Sequence, residues 1–149
     1  MKLKENKQLS ANFKINEFLS DNDKQNPDAI QGINLYELAQ KLQVLRGKVG
    51  PITINSGFRG TTYNQKVGGS SNSHHLSGLA ADIKFNFKPY TRESMTKILQ
   101  DIGFTNVNFY WTTDRKTWVW IHADIGKTWN GKKFNYRDLD SISQKEIKI

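Results

Sequence analysis

Hydrophobic positions divide this chain into stretches of two periods. Leu35, Leu38, Leu42 and Leu45 recur at three- and four-residue steps with Ala39 beside them, which predicts an amphipathic helix. Asn26-Pro27-Asp28 supplies its start, with Pro at the first helical position, and the helix is expected to break or re-initiate near Gly32-Ile33-Asn34 and to end around Gly47. Ile52 to Ser56 is a β-branched run with period-2 alternation, a strand that enters the turn Gly57-Phe58-Arg59-Gly60. Thr61 to Val67 reads as a short helix, and Gly68 to Ser73, built of Gly, Ser and Asn alone, as a surface loop able to carry a site. From Leu79 to Phe87, Ala81, Ile83, Phe85 and Phe87 alternate with Ala80, Asp82, Lys84 and Asn86, so a strand here turns Asp82 away from the core. Thr91 to Ile102 is a second amphipathic helix with Met95, Ile98, Leu99 and Ile102 inward. A last strand sets Val119, Ile121 and Ala123 on one face and Trp118, Trp120, His122 and Asp124 on the other.

Two strands therefore each present a polar side chain on a non-core face, and pairing them brings Asp82 and His122 together. All three histidines of the chain lie in two short clusters, Ser73-His74-His75-Leu76-Ser77-Gly78 running on to Asp82, and Trp120-Ile121-His122-Ala123-Asp124. The chain has no cysteine, so a metal ion would have to be held by His, Asp, Glu and water. One histidine of the first cluster, Asp82 and His122 make two nitrogens and one oxygen, a suitable set for a catalytic zinc that keeps one position open for water. Amide hydrolysis is the natural use of that chemistry. Neighbours in an extended segment point opposite ways, so only one of His74 and His75 can join Asp82.

At 149 residues the chain has the length of one domain, 1–149, with a core expected over about 9–137 and peripheral termini. Its formal charge of +8 favours an anionic partner, a cell wall, membrane surface or nucleic acid, and any such association should weaken with salt. No recognition helix or arginine-rich stripe is evident, so no nucleic-acid partner is expected. Neither an apolar stretch after Met1-Lys2-Leu3-Lys4 nor a run long enough to span a membrane is present, which points to a chain without leader or span. A monomer is expected.

The motifs resemble a known family. Ser73-x-His75-x-x-Gly78-x-Ala80-x-Asp82, followed about forty residues later by Ile121-His122-x-Asp124, is similar to the M15 group of zinc D-alanyl-D-alanine carboxypeptidases and peptidoglycan endopeptidases. Ser56-Gly57-Phe58-Arg59 resembles that group's SG-aromatic-R turn and Asn64 to Gly69 its YNxxVGG stretch, so the likeness runs from Phe13 to Asp124. It implies a hedgehog/DD-peptidase-like α+β fold: a small antiparallel sheet with flanking helices and a zinc cleft on the sheet's open face. It selects His75 over His74, giving one Zn2+ held by His75, Asp82 and His122. It also assigns Arg59 to the substrate carboxylate or the developing oxyanion.

The implied activity is hydrolysis of peptidoglycan stem peptides at the cell wall, as carboxypeptidase or endopeptidase. A chain without a leader suits a phage endolysin released through a separately made pore. Where branches of the family carry a glutamate three residues, or a histidine two residues, before the last zinc histidine, this chain has Val119 and Trp120. His74 and Asp114 are the candidates to carry the proton instead, and loss of the carrier would equally suit a wall-binding module that keeps zinc without catalysis. Asp124 is expected to orient a ligand from behind. Ser73 and Trp120 are candidate substrate contacts, and of Trp111, Trp118, Trp120 and Trp129, half are expected to line a groove and half to pack.

Overall fold

The computed structural model describes residues 2–149. A short hairpin of β1 (Gln8–Ser10) and β2 (Phe13–Lys14) precedes the long helix α1 (Ala29–Val49). Next come β3 (Thr53–Ser56), α2 (Thr61–Lys66), β4 (Ala80–Lys84), α3 (Arg92–Ile102), β5 (Asn106–Trp111), β6 (Trp118–Asp124) and β7 (Asn135–Asp140). The architecture is α+β. The five strands β3 to β7 form one sheet in the order β3-β4-β6-β5-β7. All pairs are antiparallel except the outermost, where β7 runs parallel to β5. Among the described residues no helix is long and apolar enough to cross a membrane.

One sheet face is the core face. Ala81, Ile83, Val107, Phe109, Ile121 and Ala123 are fully buried there, in one cluster with Leu35, Leu38, Leu42 and Leu45 of α1 and Met95 and Leu99 of α3. Period 2 in the strands and period 3.6 in the helices thus meet at a single apolar layer. The opposite face carries the polar residues of the same strands.

Helix α1 runs unbroken through Gly32, against the expected interruption. Its cap is Asp28, with Pro27 just outside: the Asp28 carboxylate accepts from the Gln31 N–H at 2.8 Å, and the Gln31 side chain accepts from the Asp28 N–H at 2.8 Å. Such a box contributes about 1 kcal/mol, enough to offset the cost of about 1 kcal/mol for glycine in the first turns. The helix continues past Gly47 to Val49 and stops at Gly50, which takes φ +88°.

Strict alternation misplaces Trp118. Tyr110 pairs with Trp120 but Trp111 pairs with Trp118, so Val119 is an extra residue and β6 bulges there. The bulge turns Trp118 into the core, edge-on to Phe109 at 5.3 Å and Trp111 at 5.4 Å, while Trp120 keeps the open face. Strand β4 also ends earlier than its pattern suggests, at Lys84, and Phe85 and Phe87 pack on each other at 4.6 Å beyond it.

Candidate metal centre

A single row of side chains crosses the open face. Ser56 pairs with Asp82, Asp82 with His122, His122 with Asn108 and Asn108 with Arg137, one residue from each of β3, β4, β6, β5 and β7. The pairing of Asp82 with His122 is the one expected from the two strand patterns.

His75 reaches this row from a 3-10 turn, His74–Ser77, rather than from an extended segment. Successive residues of such a turn lie about 120° apart, and that separates the two rings. The turn is clamped onto α1: Gln31 donates to the Leu76 carbonyl at 3.0 Å and Asn34 to the Ser77 carbonyl at 2.9 Å. Ser73 caps it by accepting from the His75 N–H at 3.2 Å. Gly78 closes it at φ +75°, where a β-carbon would stand 2.7 Å from the Gln31 carbonyl oxygen.

The donor atoms of His75, Asp82 and His122 all lie within 4.8 Å of one another. His75 Nε2 is 3.4 Å and His122 Nδ1 3.2 Å from Asp82 Oδ1. Donors bound to zinc at about 2.0–2.2 Å in a tetrahedron lie roughly 3.3–3.6 Å apart, so the set fits such an ion with little movement. The ring tautomers fit as well. His75 Nδ1–H donates to the Gly57 carbonyl at 2.7 Å, leaving the Nε2 lone pair facing inward. His122 Nε2–H donates to Asp124 at 3.1 Å, so Nδ1, which faces Asp82, is the nitrogen that a metal ion would take once its proton has left.

Burial pushes the His75 imidazole below its ordinary pKa against the pull of Asp82, which favours the neutral ligand form. His122 is also penalised by burial, yet hydrogen bonds to Asp124 and Asp82 outweigh that cost and hold it up at about 9. Burial likewise works to raise Asp82, but the neighbouring His75 and His122 keep it far below the usual carboxylate range.

Asp124 is fully buried and accepts from four groups. These are His74 Nδ1 at 2.7 Å, His122 Nε2 at 3.1 Å, the Gly126 N–H at 2.7 Å and Asn106 Nδ2 at 3.3 Å. An ionised carboxylate can only accept, so it fixes both histidine tautomers at once. His74 is further held by stacking on Trp129 at 4.1 Å.

Arg59 flanks the metal-ligand set. Its Nε donates to Ser56 Oγ at 3.0 Å and its terminal nitrogens to Asn64 at 3.3 Å and Asp82 at 3.4 Å. The glycine stretch explains the fit, since a β-carbon on Gly69 would stand 2.0 Å from Asn64 Oδ1. A cleft of about 500 Å³ opens over the row, with Arg59, Ser73, His74, Trp120 and Trp129 in its walls.

Trp111 and Trp118 are core residues. Asp114 lies outside the cleft: it is exposed at the β5–β6 turn and accepts from Thr112 Oγ1 and the Lys116 N–H, so it is not placed to serve the reacting atoms. Sequence reasoning missed Asn108, Tyr110 and Arg137, which also line the cleft. Tyr110 stacks on Trp120 at 4.4 Å, and burial, with the nearby Asp82 charge, keeps its phenol protonated. The alternation of Val107, Phe109 and Trp111 with Asn106, Asn108 and Tyr110 is the signal that could have found the first two.

Comparison with known proteins agrees with this geometry. The family model described as Peptidase M15 matches residues 11–124. A zinc D-Ala-D-Ala carboxypeptidase of Streptomyces albus G is 41% identical over 69 residues, a stretch that makes up 45% of this chain and 26% of that protein.

Proposed function

The chain belongs to the peptidase M15 family, and from that premise we propose that it is a zinc metallopeptidase hydrolysing peptide bonds in the stem peptides of peptidoglycan. The observation that carries the reading is the convergence of His75, Asp82 and His122, whose donor atoms lie within 4.8 Å of one another, beside a restrained guanidinium in an open cleft. The D-Ala-D-Ala substrate in the name of the Streptomyces relative supports the substrate class. Cleavage takes place at a D-alanyl or nearby stem-peptide linkage, and the protein acts on the cell wall, as a phage endolysin or as a bacterial wall enzyme.

His75, Asp82 and His122 hold the ion. Bound there, zinc would supply Lewis-acid polarisation and activation of water. Arg59, fixed on three sides, offers its charge to a substrate carboxylate or to the oxygen on which charge grows in the transition state. His74 carries the proton. Its Nδ1–H is committed to Asp124, which leaves Nε2 as the exchangeable nitrogen of a ring in the cleft wall. Ser73 and Trp120 border the substrate.

Mass analysis of defined muropeptides tests the reading. Wild type should release a D-alanine or split the cross-link, and chelation or His122→Ala should abolish this. One observation favours a second reading: Val119 and Trp120 occupy the positions at which proton carriers stand in branches of the family. If wild type with a full equivalent of zinc leaves every muropeptide intact, the protein is a zinc-containing wall-binding module.

A further inference from the structure

The far end of the cross-strand row holds a cation that the proposed chemistry does not use. Arg137 on β7 lines the cleft, half-buried, and donates through Nε to Asn108 Oδ1 at 3.3 Å. Arg59, Arg92 and Arg115 each pair with an aspartate, Asp82, Asp138 and Asp140 respectively. Arg137 pairs with no carboxylate among the described residues, although it stands in the same polar cleft as the metal-ligand set. A guanidinium in a cleft wall whose forked end meets no acid is a site for one, because the fork matches a carboxylate bidentately. Asn108 braces it from behind, as Ser56 braces Arg59 at the opposite end.

The two guanidiniums lie on opposite sides of the metal-ligand set. Arg59 is tied to β3 and β4, while Arg137 is two strands beyond β6, a displacement of roughly 10 Å at 4.7–4.9 Å per strand. An extended peptide covers that distance in about three residues. Strand β7 also lies outside residues 11–124, the part of the chain matched by the family model.

We propose that Arg137 is a specificity-determining anchor that binds a second carboxylate of the substrate peptide, about three residues from the scissile bond on the side away from Arg59. The proposal rests on the cleft being a peptidase site. It makes the preferred substrate a peptide with two acidic groups flanking the cleaved bond.

The test uses the zinc-loaded full chain and two otherwise identical stem peptides. At that distance one carries a free carboxylate and the other its primary amide. Cleavage is followed by mass spectrometry and affinity by calorimetry, the latter read whether or not either peptide is cut. Wild type should prefer the acid about tenfold in KM and in affinity. In Arg137→Gln the ratio should fall to near parity, and in Arg137→Lys, which keeps charge without the fork, it should lie between.

Equal treatment of acid and amide by wild type overturns the anchor, and that comparison needs no variant to fold. An unchanged ratio in Arg137→Gln overturns it too. Arg137-dependent preference in binding without any cleavage would sink the hydrolase reading and leave the anchor standing.

Discussion

Asp124 is the residue on which the site's proton inventory turns. With its carboxylate ionised and buried, His74 and His122 each face it with a hydrogen, so their remaining nitrogens have opposite fates: one offered to the metal, the other to the cleft. His74→Gln should retain a full equivalent of zinc while kcat falls by about 10²–10⁴-fold, the usual worth of a positioned proton carrier, as read by metal analysis and muropeptide turnover together. Metal loading should itself move protons. With a metal-free pKa of about 9, His122 is an imidazolium at pH 7.5, and coordination through Nδ1 must expel that proton. Zinc added to weakly buffered apoprotein at pH 7.5 should release at least about one proton per ion, and affinity should rise with pH until about 9 and then level off; proton release near zero would show that His122 is neutral before the ion binds.

The proposed ligands and Arg59 were legible because each stands in a motif with fixed spacing. Arg137 was not, because Asn135, Asp138 and Asp140 are buried while Tyr136 is exposed, which inverts the hydrophobic alternation that announces a strand.

At the scale of elements, the site depends on how tightly a four-residue turn is pressed onto α1. Gly78 holds a left-handed conformation and has no room for a side chain against the Gln31 carbonyl. Gly78→Ala should cost about 2–3 kcal/mol, combining backbone strain with displacement of the turn, measurable as a lower urea midpoint at unchanged slope. His75 rides on that turn, so zinc affinity should weaken in the same variant. Helices α1 and α3 and the strands bearing Asp82 and His122 follow from periodicity, since burial of one face dictates register. The bulge at Val119 does not. An extra residue in a strand leaves no mark in a pattern of aromatic residues that suits either face, and the packing of Trp118 against Phe109 and Trp111 decides between them.

For the whole molecule, the metal-ligand set draws on distant parts of the chain: a turn on α1, the second strand of the sheet and its central strand. Anything that binds these together in the folded state alone adds to stability by mass action, about 4 kcal/mol when free ligand exceeds its Kd a thousandfold. In a chain of this length that corresponds to roughly 8–16 °C in Tm, so stripping zinc with a chelator should lower the melting temperature by about that much, in a scan of apo and reloaded protein side by side. Having no cysteine, the chain has no covalent staple to fall back on. Its largely exposed Gly68–Ser73 segment leads straight into His75, so an emptied centre should loosen the backbone first where a protease finds small residues. Metal supply should then set lifetime: in limited proteolysis the zinc-free protein should be cut in that loop sooner than the loaded one.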